Sequence, residues 1–316
     1  MKLFHSLLIF SFIAFSQQSF AADHGDDNNK KAVLVTGATS GLGLKMTQTL
    51  AKNGFLVYAG ARKEADMKRL EAMENVEAIK IDVTVQSQID AAVRTIESKG
   101  RGLYGLINNA GVAIFGPVIE VDVAQLEYQM NVNVYGPYRV TQAFAPLIIE
   151  SKGRIATTGS IAGIRASSFF GQYAMSKHSV EAFTEALSAE MARFDVTVGV
   201  IEPGNYASQI GNTARKRILE SNYWSSDSLY AKERGGFVDG LANVVNGKDP
   251  QDVADAALDF MTNETPKMRY MVTPNADQAE STIRAMLKKT IQLNQDQAYS
   301  FDKATLLKML EEEINK

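Results

Sequence analysis

Three residues near the middle of the chain have the types and the spacing of an acid–base centre. In "GSIAGIRASSFFGQYAMSK", Ser160 follows an apolar run, and Tyr173 and Lys177 stand four residues apart at the start of a segment with helical character. On a helix, Lys177 lies one turn beyond Tyr173 on the same face. A tyrosine hydroxyl ordinarily titrates near pH ~10, so acid or base work near neutrality calls for a nearby cation that favours its ionised form. A lowering of about 3 units corresponds to roughly 4 kcal/mol of differential stabilisation, a suitable task for close charges screened from water. Ser160 supplies a hydroxyl able to hold a substrate oxygen without itself becoming a nucleophile. No histidine stands where a hydrolase triad needs one, and the turn is not GxSxG. Taken alone, Tyr173 and Lys177 also have a plain reading, as a helix start and an exposed cation.

A second constellation lies near the beginning of the chain. "TGATSGLG", Thr36 to Gly43, falls between an apolar strand, "KAVLVTG", and an amphipathic helix, "LGLKMTQTLAKNG". Gly37, Gly41 and Gly43 let the chain turn, let a phosphate approach and let helix and strand pack closely. The backbone amides and the positive helix end around Ser40 and Leu42 then form a place for a pyrophosphate. At the end of the second strand, "YAGARK" puts Arg62 and Lys63 where a ribose-binding carboxylate would otherwise stand, which favours NADP over NAD. The plain alternative is a pair of solvent-facing cations. Asp82, ending the third strand, is placed to approach an adenine or to cap the following helix.

These residues need a scaffold that brings distant strand ends together. Strand candidates at "KAVLVTG", "FLVYAGA", "VEAIKID", "GLYGLINN", "GRIATTGS", "VTVGVIEPG" and "MRYMVT" alternate with helical segments over 64–74, 86–99, 125–149 and 173–193. That alternation predicts an α/β fold, a single-domain Rossmann fold whose doubly wound, mostly parallel sheet carries helices on both faces. The domain spans 31–273, interrupted at 205–249 by a long insertion with short helices and the only tryptophan, Trp224, which reads as a substrate lid. Two further helices, over 277–293 and 302–315, form a C-terminal extension within 274–316. Leu306, Leu310 and Ile314 make an apolar stripe there, for packing on this chain or on a second copy.

The 316 residues are 45% hydrophobic and 22% charged, enough to bury a full core, and the formal charge is -3. That balance gives no reason to expect nucleic acid or anionic membrane as a partner. The absence of cysteine excludes disulfides and thiolate chemistry, and His5, His24 and His178 are not spaced as a metal cluster, so no metal is expected. Residues 1–21 have the grammar of a signal peptide, cleaved after Ala21 ahead of a polar linker over 22–30. A periplasmic or secreted protein follows, with an uncleaved membrane anchor as the alternative.

The motifs together carry a family resemblance. "TGATSGLG" as TGxxxGxG, NNAG at Asn108 to Gly111, and Ser160 followed by YxxxK at Tyr173 and Lys177 occur in order between Lys31 and Gly204, over half of the chain. The sequence thereby resembles the short-chain dehydrogenase/reductase family, and within it the branch of hydroxysteroid, retinol and 3-hydroxybutyrate dehydrogenases. The resemblance implies hydride transfer between nicotinamide C4 and a carbinol or carbonyl carbon, with Tyr173 moving the oxygen's proton. It implies that Ser160 positions that oxygen and that Lys177 tunes Tyr173 and holds the nicotinamide ribose. Asn133 resembles the asparagine that supports a water beside the lysine. The cofactor would lie along Thr36, Gly37, Ser40, Gly41, Leu42 and Gly43, with Arg62, Asp82 and Val83 at its adenine end. Asn109, Ala110 and Gly111 would line the cleft, and Pro203, Gly204 and Tyr206 would stand beside the nicotinamide. Where many members have threonine after the PG turn, "PGNYASQ" leaves Ser208 to hold the nicotinamide amide.

Phe169, Phe170, Tyr206, Tyr223 and Trp224 are candidates for an apolar substrate pocket under the lid, with core packing as their plain reading. They lean the expectation toward a hydrophobic secondary alcohol or ketone as partner. The family resemblance implies a homodimer or homotetramer. Two other readings stay open: a catalytically silent nucleotide-binding sensor or scaffold, and a relative that uses the cofactor for isomerisation or epimerisation.

Overall fold

The computed structural model describes residues 30–221, 223–244 and 247–315. The leader and all but the last residue of the linker expected from the sequence lie outside the described residues. Seven strands form one parallel sheet in the order β3-β2-β1-β4-β5-β6-β7. They are β1 (Ala32–Val35), β2 (Leu56–Ala61), β3 (Val76–Lys80), β4 (Gly105–Asn108), β5 (Arg154–Thr158), β6 (Thr197–Pro203) and β7 (Arg269–Val272). β1, β2 and β4 are buried at every position, as continuous apolar strands covered on both faces must be. Val35 pairs with Ala59 on one side and Ile107 on the other, so the strand order reverses at β1. A crevice opens beyond the strand ends at such a reversal.

The first crossover helices are α1 (Gly41–Lys52), α2 (Glu64–Glu71) and α3 (Gln86–Ser98). The expected long helix over 125–149 is a helical path in three pieces: α4 (Val123–Met130), a π-helical turn over Asn131–Tyr135, and α5 (Gly136–Glu150). Asn133 sits inside that π turn, a distortion that recurs at functional sites and re-aims one side chain. α6 (Gly171–Met191) opens two residues earlier than expected, so Tyr173 lies in its first turn.

The insertion contains α7 (Ile210–Ser221) and α8 (Ala231–Val244). After it comes α9 (Gln251–Thr262), which the sequence reading passed over although its apolar spacing was visible. α9 buries Val253, Ala254, Ala257, Phe260 and Met261, an i, i+1, i+4, i+7, i+8 pattern on one face. That face packs with Met46 and Leu50 of α1 into the core on one side of the sheet. The opposite core joins Ile89 and Ile96 of α3 to Phe144 and Ile148 of α5.

The C-terminal extension holds α10 (Ala276–Asn294) and α11 (Lys303–Ile314). α10 touches the domain through Thr282, which is fully buried, and through Gln278, whose Oε1 accepts from the Asn205 amide at 2.9 Å. α11 buries no residue, and Leu310 and Ile314 are exposed, so that stripe does not pack into the core of this chain. No described helix is long and apolar enough to cross a membrane.

Candidate active site

At the reversal of strand order, the turn between β1 and α1 closes against the end of β4. Asn109 Nδ2 donates to the carbonyls of Thr36 and Gly37 at 3.0 and 3.3 Å, and its Oδ1 accepts from Thr158 Oγ1 at 3.3 Å. It therefore ties the ends of β1, β4 and β5. Gly37 has φ +66° and lies so near Ala110 that a Cβ would fall 2.8 Å from its Cα. The side chain of Ser40 caps nothing and the first turn of α1 has no acid, so the helix end is uncommitted toward an anion.

Thr36 is a correction. It is 1% exposed and off the cavity wall, because its hydroxyl turns inward to accept from the amides of Asn109 and Ala110 at 2.9 and 3.0 Å. It braces the turn from behind.

A cavity of about 610 Å³ runs from this turn to the start of α6. Its phosphate-turn end is walled by Gly37, Ser40, Gly41, Leu42 and Gly43, and its adenine end by Arg62, Asp82 and Val83. Asn109, Ala110, Gly111 and Asn133 line the middle, and Ser160, Tyr173, Lys177, Pro203 and Gly204 the far end. Arg62 approaches Asp82 at 3.7 Å but is 67% exposed, so it retains donors for another anion. Burial works to raise the Asp82 carboxyl, yet the Thr84 amide and hydroxyl and the Arg62 charge together hold it below its ordinary value. Asp82 makes that local turn with Thr84, and α3 opens after Val85 with no side-chain cap.

Ser208 lines the cavity and stands over Gly41, whose Cβ would fall 3.2 Å from Ser208 Cβ, so it sits beside the phosphate turn. Tyr206 reaches the cavity wall as well; it is 2% exposed, and its hydroxyl donates to Asp252 of α9 at 2.8 Å, which ties it to the core.

At the chemical end, Ser160 stops β5 and caps a short helical turn, its Oγ accepting from Ala162 N at 3.1 Å. The same hydroxyl donates to the Pro203 carbonyl at 3.5 Å and lies close enough to the Tyr173 hydroxyl to favour its ionised form. Lys177 is 7% exposed and donates to the Thr158 carbonyl at 2.7 Å, with its Nζ 5.7 Å from the centre of the Tyr173 ring. Burial lowers Lys177 to about 8, against a pull upward from Glu181.

Tyr173 departs from expectation: burial pushes its hydroxyl up to about 12, and only the Ser160 hydroxyl works against that. Lys177 supplies none of the lowering expected of it, and the cost of placing phenolate in a dry wall sets the direction. An oxidised nicotinamide ring would add positive charge beside this hydroxyl, the sign the site needs. Asn133 binds Val112 N and O at 2.9 and 3.0 Å and Ser176 Oγ at 3.1 Å; Ser176 in turn donates to the Tyr173 carbonyl. The π turn thus braces both the loop after β4 and the first turn of α6.

The aromatics divide. Phe169, Tyr223 and Trp224 pack with Phe237 as the core of the lid, with Trp224 fully buried. Phe170 lines the cavity, as do Phe115, Ile210 and Leu241. Phe115 packs edge-on to Tyr173 at 5.5 Å. Sequence reasoning did not select Phe115; its position six residues beyond Asn109, in an apolar "AIF" run, was the available signal. Among the described residues no group of three or more His, Asp or Glu could hold a metal ion. The glycine cradle, the uncommitted helix end and the buried Lys177 amine fit a dinucleotide.

Residues 31–218 match the family described as short chain dehydrogenase. The mitochondrial D-beta-hydroxybutyrate dehydrogenase of Bos taurus is 33% identical over 288 residues, covering 84% of this chain and 83% of that protein. Retinol dehydrogenase 7 of Mus musculus is 29% identical over 271 residues, with 84% and 83% covered. A short chain dehydrogenase/reductase from Burkholderia phymatum, solved in complex with NAD, superposes with a TM-score of 0.71 at 21% identity, covering 88% of this chain and 100% of that one. The last likeness shows the fold.

Proposed function

The chain belongs to the short-chain dehydrogenase family, and on that premise we propose that it prefers NADP and interconverts a hydrophobic secondary alcohol and its ketone. It is an NAD(P)-dependent oxidoreductase acting on hydroxyl or carbonyl groups. The observation that carries the mechanism is the convergence of Ser160, Tyr173 and Lys177 on one wall of the cavity whose other end is the glycine turn.

In this reading the glycine turn and the amides opening α1 receive the pyrophosphate, and the Lys177 amine reaches toward ribose hydroxyls. Held there, a nicotinamide would supply or accept the hydride at its C4. Ser160 holds the substrate oxygen beside the Tyr173 hydroxyl. Tyr173 donates its hydroxyl proton to that oxygen in reduction and takes it back in oxidation. Phe115, Phe170, Ile210 and Leu241 exclude water and present an apolar wall, which supports a hydrophobic substrate under a lid formed by α7 and α8. Arg62 and Lys63, with no carboxylate at the end of β2, support NADP.

The relatives named for hydroxybutyrate and retinol span acidic and lipid-like alcohols, and the aromatic wall favours the second. Binding of NADPH and NADH followed by cofactor fluorescence, then a panel of alcohols and ketones with wild type and Tyr173→Phe, tests the reading. Tight NADPH binding without turnover on any substrate would favour a silent sensor instead. Product change without net cofactor turnover would favour an isomerase.

The leader supports export, with the mature chain beginning at Ala22; N-terminal sequencing of the fractionated protein checks this, and an intact Met1 end in membranes would favour an anchor. The family supports assembly as a dimer or tetramer, which light scattering of the purified protein distinguishes from a monomer.

A further inference from the structure

Behind Lys177 lies a cluster that the mechanism above does not use. Tyr173, Lys177, Glu181 and Glu185 follow one another at intervals of four on α6, so they share one face. Glu181 is 8% exposed and Glu202, on β6, 1% exposed; carboxylates that deep are costly unless paired. Arg269 of β7 meets both through Nη1, at 2.6 Å from Glu181 Oε2 and 2.7 Å from Glu202 Oε1, and reaches Glu185 with its other nitrogen. Burial, and then the Glu181 charge, push the Glu202 carboxyl well above the usual carboxylate range, so Glu202 takes up a proton more readily than an ordinary carboxylate. His178, three residues before Glu181, turns away to the Ala174 carbonyl and Lys289.

A clamp between α6, β6 and β7 would explain the oxygen that Arg269 holds. The other one needs a different account. Glu181 Oε1 accepts no hydrogen bond among the described residues. It occupies space kept clear by two glycines: a Cβ on Gly159 would fall 2.8 Å from it, and one on Gly163 2.6 Å. Gly159 directly follows Thr158, whose carbonyl accepts from the Lys177 amine, so this oxygen lies beside the strand end that the lysine reaches. Arg269 pairs with the carboxylate as a whole, and Lys177, the buried cation one turn away on the same helix face, still feels its charge.

We propose that Glu181 is a positioning residue for Lys177, the counter-charge that holds its buried amine in the cationic form in which it serves Tyr173 and the cofactor. The consequence for turnover rests on the dehydrogenase reading; the effect on the lysine's charge does not.

The test follows the Lys177 amine by NMR in full-chain protein labelled at the lysine ε-carbon, without cofactor, the signal being assigned with Lys177→Arg. Glu181→Gln should lower the titration midpoint of Lys177 by about one pH unit. The alkaline loss of turnover should move down with it while the substrate KM stays put. Glu181→Asp should restore most of the shift, and Glu185→Gln, at an exposed position, should cause none. Should Glu181→Gln fail to fold, Glu181→Ala, which removes the charge without filling the space beside Gly159 and Gly163, gives the same test. A wild-type midpoint in every folded Glu181 variant overturns the proposal and leaves the dehydrogenase reading intact. A shifted midpoint in a protein that turns over no alcohol or ketone does the reverse.

Discussion

The side-chain amide of Asn109 and the α-carbon of Gly43 leave no room between them for a methyl group. A Cβ on Gly43 would fall 2.4 Å from Asn109 Nδ2 and 2.3 Å from the Gly37 carbonyl that Nδ2 itself binds. The packing of α1 against the sheet and the shape of the phosphate turn are therefore one constraint.

Gly43→Ala must push α1 away or break the Asn109 bonds. Overpacking of this kind costs about 1–3 kcal/mol, and a displaced turn should weaken cofactor binding by at least tenfold. A thermal melt and an NADPH titration of the same sample check both effects; wild-type values in both would refute the constraint.

Tyr173→Phe keeps the ring that packs on Phe115 and removes only the hydroxyl beside Ser160. Turnover should fall by roughly 10²–10⁴-fold, the range for loss of a positioned acid or base, with cofactor affinity nearly unchanged. Parallel loss of turnover and NADPH affinity would show instead that Tyr173 mainly shapes the site.

Lys177 and Tyr173 act oppositely on stability as the solution becomes alkaline. Lys177 titrates near 8 in the fold against 10.5 as its reference, so between those values the unfolded chain binds more protons and stability rises with pH, by roughly 3 kcal/mol in all. Tyr173 titrates near 12 against 10.0, so from pH 10 upward the folded chain holds the extra proton and stability falls. Urea midpoints across this range should therefore rise more steeply between pH 8 and 10 in wild type than in Lys177→Met. Equal slopes would mean that the lysine is less buried than its surroundings indicate.

Arg62 is largely exposed and meets Asp82 only at 3.7 Å. Arg62→Asp should weaken NADPH binding by about tenfold or more through loss of a charge-assisted bond, and should leave NADH binding similar or better. Equal loss for the two cofactors would place Arg62 away from the adenine-side phosphate.

Trp224, the only tryptophan, is fully buried among Phe169 and Phe237 and donates Nε1 to the Tyr230 carbonyl at 3.2 Å. Its emission should be blue-shifted in the folded protein and report on the lid alone. Trp224→Ala should cost about 3–5 kcal/mol where the cavity cannot collapse. A solvent-like emission maximum in native buffer would contradict this packing.

Local spacing carried most of the site. The glycines from Gly37 to Gly43, the strand ends at Asn109 and Ser160, and the four-residue step from Tyr173 to Lys177 are dictated by a strand–turn–helix and by helical periodicity. So the alternation of elements, the parallel sheet and the chemical residues were legible in order along the chain. α9 was legible too, in the spacing of Val253, Ala257 and Phe260, though it was passed over.

What a residue faces across space is a different quantity, set by partners far away in sequence. Thr36 turns inward because the amides of Asn109 and Ala110, more than seventy residues later, complete its hydrogen bonds. Ser208 meets Gly41, and Tyr206 meets Asp252, because the chain after β6 crosses the mouth of β1 on its way to α9. Phe169 takes a left-handed φ of 68° among the lid aromatics, while its neighbour Phe170 lines the cavity. The high pKa of Tyr173 and the counter-charge at Glu181 come from burial, which appears only when β5, β6, β7 and α6 close on one another. The sequence by itself determined which groups are present and which share a helix face. Only the tertiary structure decided which are dry and which are paired, since desolvation and long-range charge depend on packing rather than on spacing.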